Sequence, residues 1–278
     1  MIYTRDSMNL QEAISRLSSE TQPRGELASL KSPDYTWDLS LGFAKAAEMA
    51  ARGWDAQAGA LWKSIFALAM KIESGVQEYY DVSGESVDVG RYLSGEPECM
   101  LAQSISPLSS VSVFINISAK SNADAEQLFN RGIAVAAVIH ALQSSGRGVA
   151  LVVCESVSCG ESIHETFIQM QDFGEYINPG RLAFWAAHPA ALRRCIFRYN
   201  EQQDPEIRDR LGFKDGWGYG SPRDIEIGKL PQGTVYIPFA ETEELRRHYA
   251  SPRLALKRVV EEFKAKGVPI EIQNAAGN

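Results

Sequence analysis

Two short apolar runs, Val111 to Ile117 and Val149 to Cys154, bracket a longer segment, Glu126 to Leu142. Within that segment Leu128, Phe129, Ile133, Val135, Ala136, Val138, Ile139 and Leu142 recur at helical spacing. The flanking runs are rich in β-branched residues and bounded by breakers, so each reads as a strand buried on both faces. Ser144-Ser145-Gly146-Arg147-Gly148 closes the helix, glycine supplying the conformation that ends one. The pattern predicts a βαβ unit with parallel strands and a right-handed crossover.

On either side the pattern is weaker. Residues 1–34 are polar and broken by Pro23 and Pro33, which predicts a short helix over Ser7 to Ser18 and then an extended arm. Such an arm docks on a neighbouring molecule or stays mobile. Apolar residues at helical spacing predict one helix ending at Gly53 and another from about Ala60 to Gly75. Trp37, Trp54 and Trp62 are assigned to the packing of this helical layer. The turn-rich stretch Tyr79 to Met100 contains a short helix capped by Asp88 and running to about Leu93.

After the central unit, Val157-Ser158-Cys159 reads as loop and Ile163 to Met170 as strand. A third apolar run, Arg181 to Ala187, reads as a strand ending at His188-Pro189. A helix through Tyr199 follows, its start marked by the proline. Residues 200–231 form a long connection. The last unit is a strand over Thr234 to Phe239, a helix over Ser251 to Lys266 and an edge strand over Pro269 to Ile272. Together these elements predict a doubly wound, three-layer α/β sandwich over residues 106–278. An N-terminal arm and helical extension over residues 1–105 precede it.

Composition bounds the function. The 278 residues are 45% hydrophobic and 23% charged, as in ordinary globular proteins. There is no apolar run long enough to span a membrane and no signal-peptide pattern at the N-terminus, so the expected location is the cytoplasm, with no membrane partner. Cys99, Cys154, Cys159 and Cys195 form no CxxC and read as four reduced thiols. The net charge of −7 argues against gripping nucleic acid over the whole surface. The charge is uneven, however: residues 1–180 carry 22 acidic and 12 basic side chains, and residues 181–278 carry 13 acidic and 16 basic. Any polyanion would meet the second half.

Candidate chemistry is sparse. No dinucleotide fingerprint, phosphate-binding loop or nucleophile elbow is present. The histidines His140, His164, His188 and His248 are scattered, so no nucleophile–base pair can be placed and an enzyme is not the leading expectation. No cofactor is called for. A metal-dependent enzyme using Asp81, Asp88 or the loop at Asn116 is the third-ranked reading.

The positive signal is a run of cations interleaved with aromatics. Arg193, Arg194, Arg198, Arg208, Arg210, Lys214 and Arg223 lie among Phe213, Trp217 and Tyr219. Single-stranded nucleic acid binders need cations to follow phosphates and flat rings to stack bases. The plainer alternative is a solvated basic face over a packed core.

Two resemblances sharpen the expectations. The loop Asn116-Ile117-Ser118-Ala119-Lys120-Ser121 follows the first strand of the βαβ unit. It resembles the metal-adhesion loop, Asp-x-Ser-x-Ser, of von Willebrand factor A domains. Asn116 stands where that family has Asp and Lys120 where it has the second Ser, which implies the scaffold with a degenerate metal site around Asn116, Ser118 and Lys120. The block Tyr80-Asp81-Val82-Ser83-Gly84, continued by Asp88-Val89-Gly90-Arg91-Tyr92-Leu93-Ser94-Gly95-Glu96-Pro97-Glu98-Cys99-Met100, resembles a family of tailed-phage proteins. That family includes the single-stranded-DNA-binding RNA polymerase cofactor of lytic podophages. The resemblance implies a non-enzymatic protein whose partners are single-stranded DNA, a phage RNA polymerase and further copies of itself. The alternative is a von Willebrand A-like protein-interaction module with no nucleic acid role.

Overall fold

The computed structural model describes residues 3–19, 27–54, 70–72, 76–105, 110–176, 178–211, 213, 219–239 and 241–272. The chain is a mixed α/β protein built on a central, mostly parallel sheet. Its strands are β1 (Tyr3–Asn9), β6 (Val111–Asn116), β7 (Val149–Cys159), β8 (Ser162–Gln171) and β10 (Val235–Ile237), in the order β1-β8-β7-β6-β10. A two-residue strand β9 (Ser221–Pro222) pairs with the far end of β7.

The predicted βαβ unit is present. Val111 pairs with Val149 and Asn116 with Cys154 in parallel register. Between them runs α5 (Ala125–Ser144), which Asp124 caps by accepting from the amides of Glu126 and Gln127. Most of α5 is buried, so its apolar residues wrap nearly the whole helix, as expected of a helix enclosed by other elements. Gly132 shows how closely: a β-carbon there would sit far inside contact distance of the backbone of Ala186 and Ala187.

Several expectations need correction. The N-terminal stretch is not helical from Ser7, nor is all of it an arm. Tyr3–Asn9 is a strand lying parallel to β8, and the helix, α1 (Leu10–Leu17), begins only after Asn9 caps it. Thr4 Oγ1 lies 2.8 Å from His164 Nδ1, and Arg5 pairs with Glu165 at 2.8 Å. Those partners are some 160 residues away, so no local pattern announces the strand.

The run at Arg181 to Ala187 is a helix, α6 (Pro179–Ala187), started by Asn178 and Pro179. Periodicity cannot separate a short buried strand from a helix buried all round, and the Asn-Pro start signal decides it. Val157-Ser158-Cys159 is not loop. β7 runs through it and turns at Gly160, which has φ +58°, into antiparallel β8.

Residues 60–69 and 73–75 of the expected second helix, Trp62 among them, lie outside the described residues. Met70–Ile72 is a strand, β2, paired antiparallel with β11 (Ile270–Ile272) in a separate two-stranded sheet. Met70 to Ile72, expected at the end of the second helix, is therefore extended, and the last strand does not extend the central sheet. A third sheet joins β3 (Val76–Asp81), β4 (Ser86–Val87) and β5 (Met100–Ile105). Beside it stands α4 (Val89–Leu93), capped by Asp88 as expected.

Met8, Val113, Ile115, Leu151, Val153 and Ile168 face one large core. It also takes in α1, α3 (Phe43–Arg52), α5, α6 and α10 (Pro252–Ala265). Ala13, Ala46, Ala50 and Trp54, from residues 1–105, belong to it, so the division at residue 105 does not separate two cores. On the opposite face Phe114, Val152, Cys154, Phe167 and Tyr236 meet Ile225 and Leu230 of the connection before β10. Among the described residues that cover is a connection with one short 3-10 turn, Ile227–Lys229, and no α-helix.

Candidate functional site

The loop after β6 sits where open α/β sheets place ligands, at the carboxyl ends of parallel strands. The side chains of Asn116 and Ser118 are committed to holding it. The Asn116 amide donates to the carbonyl of Arg223 (2.9 Å) and to the Tyr236 hydroxyl (3.0 Å), while its Oδ1 accepts from the Ser118 amide (3.0 Å). Ser118 Oγ donates to the Ser156 carbonyl and accepts from the Ser156 amide. Lys120 pairs with Glu241. Arg131, buried on α5, donates to the carbonyls of Asn116, Ile237 and Pro238 and so ties the ends of β6 and β10 together. Among the described residues no group of His, Cys, Asp or Glu is arranged to hold a metal ion.

Next to this loop opens a cleft of about 570 Å³, within the usual size range of small-molecule sites. Residues 118–122 form one side and Tyr219 to Pro222 another. Lys31 and Trp37 contribute from the segment before α3, Arg193 and Phe197 from the helix after His188, and Glu155 lies at the floor. Lys31 and Lys120 are exposed and Trp37 is half-buried. Gly220, with φ +78°, brings the chain close to the carbonyl of Ser158, where a side chain would be both strained and crowded.

Cations dominate the electrostatics of the cleft. Arg193 is 1% exposed and donates to the backbone carbonyls of Trp37, Lys120 and Ala123. Burial lowers its guanidinium to about 10, so it stays charged at neutral pH behind the loop. Among the described residues Lys120 is held by one exposed ion pair, worth at most about 1 kcal/mol, in which another anion can readily replace Glu241. The carboxyl at the floor does not oppose this charge at full strength. Glu155 is fully buried and its pKa is pushed up to about 7 by desolvation, partly offset by the Asn200 amide, which donates to Oε2 at 3.0 Å. Glu155 Oε1 has no hydrogen-bond partner among the described residues.

The structure redistributes the residues singled out from sequence. Arg193, Arg194 and Arg198 are buried, so the expected surface track of guanidiniums is not formed. Arg194 donates to Asp38 and to the carbonyls of Ser29, Lys31, Ser32 and Leu41. Its work is to fold residues 27–41 against the helices. Arg198 stands 3.7 Å from Glu201.

Phe213 and Tyr219 are not free to stack on bases. They pack edge-on at 5.2 Å, with Tyr219 also against Phe197 at 4.9 Å and Phe213 against His164 at 5.8 Å. The Tyr219 hydroxyl donates to Glu201 at 2.6 Å. Apolar rings drawn into a second small core with Val157 and Leu211 gain more from burial than from solvent. Arg208 and Arg223 are half-buried and Arg210 is exposed, paired with Glu206. Lys214 and Trp217 lie outside the described residues.

Sequence reasoning missed Lys31, Trp37 and Glu155. The only signal for Glu155 was a lone carboxylate at the end of an apolar strand, a position that needs a buried partner. Trp37 was assigned to the core, yet it lines the cleft, with the guanidinium of Arg194 4.9 Å from its ring centroid.

These features define a mixed α/β protein with an open, cation-lined cleft at the carboxyl ends of its central strands. The chain belongs to the family described as a domain of unknown function, DUF7192, whose model matches residues 2–269. No curated protein matches the chain, and no solved structure does. No helix among the described residues is long and apolar enough to cross a membrane.

Proposed function

We propose that this protein is a non-enzymatic binder of single-stranded nucleic acid that works through the cleft, not through the run Arg193 to Arg223. The observation that carries the reading is the composition of the cleft: the Trp37 ring beside exposed Lys31 and Lys120, with the buried charge of Arg193 behind them. Backbone phosphates pair with the lysines and an unstacked base enters against the ring, the combination that single-strand binding requires. The tailed-phage resemblance extends the proposal to a transcription cofactor that recruits a phage RNA polymerase in the host cytoplasm. The von Willebrand A-like identity of the scaffold is proposed on the same terms, from the loop after β6.

Fluorescence anisotropy with labelled single- and double-stranded oligonucleotides, at low and moderate salt, tests the binding. Single strands are expected to bind better. Lys31→Ala with Lys120→Ala should weaken binding and flatten the salt dependence by roughly 0.7 per lost contact. Trp37→Ala should cost about 1–3 kcal/mol if one base stacks there. No binding at low salt overturns the reading.

A second reading, a protein-interaction module, is favoured by the small β3-β5-β4 sheet and α4. Val82, Val89, Tyr92 and Leu93 are all more than 60% exposed there, an apolar surface of the kind that marks interaction sites. Tyr92→Glu should abolish co-purification with the polymerase while leaving oligonucleotide binding unchanged. Retention of the complex by that variant would remove this surface from consideration.

A further inference from the structure

Glu155 sits at the floor of the cleft with one carboxyl oxygen satisfied and the other not. Oε2 accepts from Asn200, and Oε1 has no partner among the described residues. The side chain is wholly buried, and an unmet buried carboxylate oxygen carries a substantial desolvation cost. Such an oxygen is a receptor for a donor. A hard cation is a poor candidate, because it needs several oxygen ligands and the neighbouring Ser118 hydroxyl is already committed to Ser156. A protonated amine would meet Arg193, Lys31 and Lys120 on its way in. A neutral N–H donor on a flat ring, carried by an anionic backbone, satisfies both the cationic rim and the acceptor floor.

We propose that Glu155 makes the cleft selective for nucleobases bearing an exocyclic amino group, with cytosine accepted and thymine refused. The inference rests on the single-strand-binding reading above. Cytosine presents its N4 amino donor on the edge where thymine presents the O4 acceptor and a methyl group. Against Oε1 the first makes a hydrogen bond; thymine can offer only its N3–H, flanked on both sides by carbonyl oxygens that repel the carboxylate. Asn200 fixes the carboxyl from behind, so the free oxygen cannot turn away without giving up that bond.

The test compares short oligo(dC) and oligo(dT) by anisotropy against the full chain, with Glu155→Gln in parallel, at a pH above the Glu155 value of about 7 so that its carboxyl is ionised and only accepts. The unaltered protein is expected to bind oligo(dC) at least about fivefold more tightly than oligo(dT), the low end of what one good base contact supplies. Glu155→Gln should lose most of that preference while keeping its affinity for oligo(dT). Equal binding of the two oligonucleotides by the unaltered protein overturns the selectivity and leaves the single-strand reading standing. So does a preference that survives intact in the variant. Failure of both oligonucleotides to bind at low salt removes the reading and the selectivity together. If the variant does not fold, the preference of the unaltered protein decides.

Discussion

Arg194 and Asp38 meet 156 positions apart in the chain, with Nε 2.8 Å from Oδ2 and neither side chain exposed. The pair closes the turn-rich segment before α3 onto the helix that ends in α7 (Phe197–Glu201). The other donors of Arg194 are taken up by four backbone carbonyls of that segment. Every group in this knot has a partner, the condition under which a buried ion pair is tolerable.

Removing one member leaves the other charge buried and alone. Arg194→Ala is expected to destabilise the protein by about 3–5 kcal/mol, read as a fall in the urea midpoint. Arg210→Ala is the contrast. Its guanidinium is exposed and paired with Glu206 one turn away, so the change should stay within about 0.5 kcal/mol. Equal effects of the two variants would contradict the placement of Arg194.

Gly132 sets helix propensity against packing. Alanine in mid-helix gains up to about 1 kcal/mol over glycine, but here its methyl would collide with the backbone of Ala186 and Ala187. Overpacking a close contact costs about 1–3 kcal/mol, and backbone atoms cannot swing aside as a flexible side chain does. Gly132→Ala should therefore destabilise, measured by thermal or urea unfolding. A stabilised variant would mean that α5 and α6 stand further apart.

The buried titratable groups give stability a pH signature with two opposing parts. Glu155 is raised from 4.5 to about 7 by burial. Between those values the unfolded chain has released the proton that the folded protein keeps, so stability falls as pH rises. Complete ionisation costs roughly 3 kcal/mol. His164 and His188 are lowered from 6.5 to about 4, also by burial, with Asp6 and Glu165 opposing the shift at His164. Their contribution is fully present above about 6.5 and is lost as pH falls towards 4. Two histidines outweigh one glutamate between about 4.5 and 6.5, so stability should rise with pH there and then dip slightly towards 7. In Glu155→Gln the rise steepens and the dip disappears. Urea midpoints across this range for both proteins measure the difference directly.

What the sequence determined on its own is the part of the molecule governed by near neighbours. The βαβ unit from Val111 to Cys154, the Asp88 cap and the terminal helix α10 were legible because short apolar runs, capping and helical spacing act over a few residues. The terminal edge strand was legible as a strand, but its partner was not, since β11 joins β2 and not the central sheet. Tyr3–Asn9 became a strand because β8 offered it an open edge. Arg193, Arg194, Phe213 and Tyr219 looked like surface chemistry because type and spacing do not encode exposure. Their burial depends on carbonyls, carboxylates and rings brought in from distant segments. The cleft is likewise a tertiary product: Lys31, Trp37, Lys120, Glu155 and Tyr219 share no local pattern and meet only when the loop after β6 closes against the helices. A chain writes its periodicities into local sequence, but a buried polar group is specified by the partner that satisfies it, and that partner is chosen by the fold.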